Sequence, residues 1–426
     1  MHLYFRCVDS VVRLYFTFES SMKEYHENRQ PEGGEMKLYP KFEHNFILLA
    51  DGKPVRYNSW FGGADAQIDV RHKHKSDVLE IGVRGWQQYT AFPISECTAT
   101  SPTIIRNNNS EKSNTNHVYH PIVVHTHFAD IYHDANRPIF IDALAKHLIY
   151  HRCALNVDHY EVVIDNKQLI NFLKHKDIME FVKNGWIIFT LKGNKLPRIN
   201  KGNVYWQGMY ENMALLRHWQ TKTHLMVYNV DEYVVYNNSF NSAIEFKEKV
   251  LGDLEPGAVG MKRFMAFGIK SGSALKPDLP QLSFTSNSYV LADKLRDLKL
   301  ILNPNRTGCM IMHWAGCGTG YDHQYKKNEN IKYPKPEIAF IAHFENMCDV
   351  RWRGYELEKR IAGTMNQFMA FNFTKLNVMQ RCDPHSIYDF KEFKSNRSMN
   401  VNHGKHYQRG ENLRRQKISS SISLHH

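Results

Sequence analysis

No stretch of this chain stays apolar long enough to cross a membrane as a helix. Its start, MHLYFRCVDSVVRLYFTF, is apolar but broken by Arg6, Asp9 and Arg13, so it reads as neither a clear signal peptide nor an anchor. Paired CxxC motifs are missing as well. The seven cysteines (Cys7, Cys97, Cys153, Cys309, Cys317, Cys348, Cys382) are scattered, which argues against a structural zinc site and against a disulfide framework, and leaves room for a bridge such as Cys309 to Cys317. Acidic residues are in short supply: 43 Asp and Glu against 55 Lys and Arg give a formal charge of +12, which favours a polyanionic or phosphorylated partner. Much of that excess lies after Lys391, so it carries no specific nucleic-acid signal for the core.

What is present indicates a globular protein: 42% apolar and 12% aromatic residues in a chain of 426, enough for one large domain with additions, or for two. Sequons at Asn108, Asn305, Asn372 and Asn396 are compatible with a secretory route.

The organisation follows from composition and periodicity. Residues 1–42 form an N-terminal segment. A small β-rich domain over 43–97 includes a hairpin, Phe46–Leu49 to Pro54–Tyr57, and the alternating strand Val78–Val83. A Ser/Thr/Asn-rich linker occupies 98–117. Strands and helices then alternate at short spacing. Pro121–Val124 is strand-like, and Pro138 opens a helix with Ile141, Leu144, Ala145, Leu148 and Ile149 at helical spacing. Tyr160–Ile164 is a strand, Leu169–Val182 is helical, Trp186–Phe189 is a strand and Gln207–Trp219 is a helix. Such alternation predicts an α/β domain over 118–345, a mostly parallel open sheet with helices on both faces, preceded by the β-rich domain. After Tyr236 the pattern suits a mixed or antiparallel half, with strands at Val259–Phe264, Lys299–Leu302, Cys309–His313 and Ile338–Phe344. Trp352–Met369 reads as a helix within an extension over 346–390. A basic tail follows over 391–426, for which contact with an anionic membrane surface is the alternative to a solvated tail.

The chemistry centres on HLMVYNVDEYVVY, His224 to Tyr236. A buried-type strand ends abruptly in Asn229-Val230-Asp231-Glu232, and carboxylates at a strand's carboxyl end sit where open α/β sheets place ligands. Oxygen ligands there suit Mn²⁺ or Mg²⁺, although a solvated turn would show the same letters. His313 and His343 each end an apolar segment and are candidates to complete a metal site, each weighed against an ordinary structural histidine. Lys299 and Arg263 are candidates for neutralising a diphosphate. Asp165-Asn166 ends another strand and suits either a ribose contact or a helix cap. The helix over Gln207–Trp219 presents Met209, Met213, Leu216 and Trp219 to a core, with Gln207 and Asn212 towards a cleft. Separately, His125-Thr126-His127 resembles the HxH of metal hydrolases built on closed (β/α)₈ barrels, a reading that needs about eight βα units.

Taken in order, these residues resemble glycosyltransferase family 92, of the GT-A type, from Pro121 to Gly363. The resemblance rests on Ile149-Tyr150-His151, then Asn156-Val157-Asp158-His159-Tyr160, then Val163-Ile164-Asp165-Asn166. It continues through Gln207, Asn212 and Leu216 into Asn229-Val230-Asp231-Glu232-Tyr233, like a DxDEF segment, and through Arg263–Gly268. Lys299, Ile301, Pro304 and His313 follow, then His343-Phe344, Lys359 and Gly363. It implies inverting transfer of a hexose, galactose-like, from a nucleotide sugar such as a UDP-sugar to a glycan or glycoprotein acceptor, with Mn²⁺ (or Mg²⁺) bridging the diphosphate. On that resemblance Asp231, His313 and His343 are the metal residues. Asp165, Asn166, Asn229, Asp231 and Lys299 bind the donor. Asp278, Asp293 and Asp297 are all available as the catalytic base. Members are typically anchored in secretory membranes, and no such anchor is legible here. Asn229 replaces the first acid of DxD and gives a metal no charge, so a non-catalytic sugar- or nucleotide-binding protein on the same fold is the alternative.

Overall fold

The computed structural model describes residues 2–8, 11–17, 48–50, 53–55, 58–60, 63–69, 78–83, 89–93, 121–127, 138–164, 166–191, 203–237, 240–252, 257–268, 288–292, 298–307, 310–311, 314–315, 331–344, 367–371 and 388–392. Eight short strands come first: β1 (His2–Val8), β2 (Val11–Thr17), β3 (Leu48–Ala50), β4 (Lys53–Pro54), β5 (Asn58–Trp60), β6 (Gly63–Asp69), β7 (Val78–Val83) and β8 (Tyr89–Pro93). They make two antiparallel sheets, β1-β2-β6-β5 and β4-β3-β7-β8. The expected hairpin is β3–β4. The N-terminal segment is no separate unit, because β2 pairs along its whole length with β6.

The α/β part alternates as β9 (Ile122–His127), α1 (Pro138–Leu155), β10 (His159–Ile164), α2 (Asn166–Phe172), α3 (Lys176–Lys183), β11 (Ile187–Leu191), α4 (Asn203–His218) and β12 (His224–Val227). The chain goes on through β13 (Glu232–Tyr236), the short helix α5 (Ala243–Phe246), β14 (Ala258–Gly268), β15 (Ser288–Ala292), β16 (Leu298–Leu302), β17 (Met310–Ile311), β18 (Trp314–Ala315), β19 (Ile331–Lys332), β20 (Ala339–Phe344), β21 (Gln367–Phe371) and β22 (Tyr388–Glu392). One mixed sheet runs β11-β10-β9-β12-β16-β14-β15-β21-β22, with β19 and β20 also paired to β14 and β13 paired to β20. It is parallel from β11 to β12 and mainly antiparallel beyond, as the change of pattern after Tyr236 predicts. The C-terminal expectation needs correction. Residues 367–369 lie in β21, not in a helix, and β21 and β22 extend the sheet past the expected domain end at 345.

Alternation along the strands explains why helices cover both faces. Ile122, Val124, Tyr160, Val162 and Met226 join the core that holds Leu144, Leu148 and Tyr150 of α1. Val123, Leu225 and Val227 point the other way, into a core with Ala214, Leu215 and Leu216 of α4. Each such side chain contributes about 1.5–3 kcal/mol on burial. Helix ends are set locally. α1 opens on Pro138 and stops where Asn156 takes φ 55°. α3 is followed by Gly185 at φ 67°, whose N–H donates to the Val182 carbonyl at 3.0 Å. Several residues of the family resemblance serve the fold: the Tyr150 hydroxyl donates to Val234 O at 2.5 Å, Tyr160 to Leu148 O at 2.7 Å, and Asp158 accepts the Ile122 N–H at 3.0 Å.

The N-terminal sheet docks on α4. Arg13 of β2 is 1% exposed and donates to the carbonyls of Pro304 at 3.3 Å and Thr307 at 2.8 Å, with Trp219 beneath its guanidinium at 5.7 Å. Two cysteines fall among the described residues, Cys7 and Cys153, and each is disulfide-bonded. The sequence left room for a bridge such as Cys309 to Cys317 and pointed to neither Cys7 nor Cys153; that pair lies outside the described residues.

Candidate functional site

The chain leaves β9 through α1 on one face and moves outward to β10 and β11. It then returns through α4 on the other face to β12, on the opposite flank of β9. The order therefore reverses between β9 and β12, and open α/β sheets bind ligands outside the carboxyl ends of strands at such a point. Asn229–Asp231 follows β12 at that edge.

The turn is closed by Glu232. Its N–H donates to the Asn229 carbonyl at 3.1 Å, and its carboxylate accepts the Asn229 N–H at 2.9 Å. The carboxylate is fully buried and faces two fixed cations: Arg263 of β14 at 3.0 Å and Lys299 of β16 at 3.0 Å. These charge-assisted contacts tie three strands to one turn. They also reassign residues. Glu232, expected among the oxygen ligands, is the counter-ion of two buried basic side chains. Lys299, fully buried, presents no solvent-facing ammonium to a diphosphate, and Arg263 is 7% exposed. Asn229 enters through its backbone, by groups that almost any residue would offer.

Asp231 does a different job. Its carbonyl accepts the Phe344 N–H at 2.8 Å, and its Oδ2 lies 3.3 Å from His343 Nε2 on β20. Two ligands of one divalent cation, each about 2.1 Å from it, lie about 3 Å apart, so this carboxylate and imidazole fit a shared ion. Both side chains are at least 95% buried. Among the described residues no set of three or more His, Cys, Asp or Glu side chains is arranged to hold a metal. His313, the third expected ligand, lies outside them, as do Asp165 and the candidate bases Asp278, Asp293 and Asp297. Asn166 is the first residue of α2.

Behind the turn stand two histidines of α1. His147 and His151 pack with ring centroids 4.2 Å apart, and Tyr233 lies 5.5 Å from the first and 5.6 Å from the second. His151 Nδ1 faces the His147 carbonyl at 2.9 Å and so must donate, leaving Nε2 to accept the Val234 N–H at 3.5 Å. That tautomer is neutral. Burial lowers the His151 imidazole to about 4, against smaller upward pulls from His147 and Glu232. It lowers His147 well below the usual histidine range, helped by His151. Tyr228 is pushed well up by burial and then by Glu232.

Asn212 is not at a cleft. It is 1% exposed, and its amide grips Met310, donating to the carbonyl at 2.6 Å and accepting the N–H at 2.9 Å. The sequence offered no signal for this clamp, because the partners lie 98 residues apart.

The HxH histidines do not form a barrel centre. Among the described residues the sheet is open, with β11 and β22 at the ends of its order. His125 points to the α4 face and meets Glu161 of β10 at 3.6 Å, where His218 at 3.0 Å and Arg217 at 3.0 Å also converge. Burial by itself raises the Glu161 carboxyl, but its contacts with His125 and His218 and the nearby Arg217 guanidinium hold it well below the usual carboxylate range.

Compared with protein-family models and with curated proteins, the chain matches none.

Proposed function

We propose that the chain is a metal-dependent glycosyltransferase of the GT-A type, similar to family 92. It would move a galactose-like hexose from a UDP-sugar to a glycan or glycoprotein acceptor with inversion. The observation that carries the reading is Asp231, set beside His343 at the carboxyl edge of an open α/β sheet, where the strand order reverses between β9 and β12.

Asp231 and His343 would hold Mn²⁺ or Mg²⁺, which when bound supplies Lewis acidity to the leaving diphosphate. Glu232, Arg263 and Lys299 keep the turn rigid, so Asp231 is positioned in advance. No helix among the described residues is long and apolar enough to cross a membrane. The disulfides at Cys7 and Cys153 support an oxidising, secretory location.

The test is hydrolysis and transfer across a panel of UDP-sugars with Mn²⁺, comparing wild type with Asp231→Ala. Losing a metal ligand should lower turnover by about a hundredfold or more; turnover unchanged in Asp231→Ala would sink the assignment. A second reading, a sugar- or nucleotide-binding protein without turnover, is favoured by Asn229 at the first DxD position. Saturable UDP binding with no turnover on any donor would establish it.

A further inference from the structure

The sequons at Asn108, Asn372 and Asn396 lie outside the described residues; Asn305-Arg306-Thr307 lies inside them, in the turn after β16. Asn303 builds that turn. Its side-chain oxygen accepts the Asn305 N–H at 3.0 Å, and its carbonyl accepts the N–H groups of Arg306 at 3.1 Å and Thr307 at 3.0 Å. Pro304 and Thr307 are buried, whereas Asn305 and Arg306 between them are exposed.

The Asn305 amide rests on the neighbouring turn between α4 and β12. Its Oδ1 accepts the Gln220 N–H at 2.5 Å, and its Nδ2 donates to the Thr221 carbonyl at 2.9 Å. That nitrogen carries two hydrogens, so a substituent in place of one leaves one to donate.

We propose that Asn305 is an N-glycosylation site, filled before the chain folds. The residue types carry the recognition: an asparagine amide as acceptor and a hydroxyl two residues on, with Arg306 rather than proline between them. The donor class is an oligosaccharide linked through its C1 to a lipid diphosphate. The C1–O bond to the diphosphate breaks, an Nδ2–C1 bond forms, the lipid diphosphate leaves and one amide proton is released.

The order of events comes from Thr307. It is 5% exposed, and its hydroxyl donates to the Gly257 carbonyl at 2.8 Å, so folding hides half of the signal that a transferase must touch. Asn305 stays outside, which gives the finished glycan solvent to project into. The glycan would stand where the N-terminal sheet meets the α/β part, because Arg13 of β2 binds the carbonyls of Pro304 and Thr307 on either side of it. The disulfides at Cys7 and Cys153 are an independent sign of the compartment in which such transfer takes place. The inference rests on that location and not on sugar transfer by the chain itself.

The full chain, led into the secretory pathway of mammalian cells, is treated with peptide N-glycosidase in heavy-oxygen water, and its peptides are mapped by mass spectrometry. Those carrying position 305 should show, in most molecules, the isotope-marked aspartate that a removed N-linked glycan leaves. Asn305→Gln and Thr307→Ala should each abolish the modification, and Thr307→Ser should keep it. Attachment precedes folding, so a variant that fails to fold still reports. The order is read by offering the unglycosylated chain, folded or unfolded, to purified oligosaccharyltransferase with its lipid-linked donor; the unfolded chain alone should be modified. An unmodified Asn305 in the wild type overturns the site. Occupancy that persists in Thr307→Ala overturns the recognition, and equal modification of the folded chain overturns the order.

Discussion

Glu161 and Glu232 are buried carboxylates in the same sheet, and they are neutralised in opposite ways. Glu232 faces the guanidinium of Arg263 and the ammonium of Lys299, each at 3.0 Å. Two imidazoles lie close behind it, but they bond to backbone and stack on rings, and burial keeps them neutral. Glu161 has one fixed cation, Arg217, and its remaining partners are the imidazoles themselves. Fixed cations make a rigid pin and titratable ones a conditional contact. The rigid pin lies under the turn that carries Asp231, where catalysis would need precise placement; the conditional one lies at a helix end.

The largest effect should come from breaking the pin. Glu232→Gln leaves Arg263 and Lys299 buried without their carboxylate, which should cost about 3–5 kcal/mol. Urea denaturation at neutral pH measures it, and a loss below 1 kcal/mol would show that the cluster relaxes or admits water.

Acid should load both regions, with a sign fixed by burial. The folded His151 imidazole titrates at about 4, against about 6.5 when unfolded. Protons therefore bind the unfolded chain first. Stability is complete above about pH 6.5 and falls as pH drops towards 4, by about 3 kcal/mol for this residue alone. His147, His125 and His159 are shifted the same way. The denaturation midpoint followed from pH 7 to pH 4.5 checks this, and a flat profile would contradict it. His151→Phe should flatten that profile.

The smallest effect should come from Arg217. Its side chain is over a third exposed, so Arg217→Met should cost less than about 1 kcal/mol at neutral pH. Urea denaturation at neutral pH checks it, and a loss above about 2 kcal/mol would show that Glu161 depends on this guanidinium.

Much of the scaffold was legible because its signals are local. The stripe Leu144, Ala145, Leu148, Ile149 needed only a helical period, and the run Leu225–Tyr228 needed only length and burial. Asp231 was identifiable because an acid after a buried strand is visible in a few letters. The contacts of its neighbour Glu232 were not legible, because the basic residues that meet it are 31 and 67 residues further on. The burial of Lys299 was hidden for the same reason. The strand at Gln367–Phe371 was taken for the end of a helix because a short apolar segment fits either period, and its pairing with β15 decided the matter.

The sequence by itself determined the alternation of strands and helices, the carboxyl-edge position of Asp231 and the oddity of Asn229, since periodicity and residue chemistry act between near neighbours. Only the tertiary structure decided which charges meet. It sent Lys299 and Arg263 inward to Glu232, His343 to Asp231 and His125 to Glu161, because strand order and register bring those residues together and burial penalises any of them left unmatched.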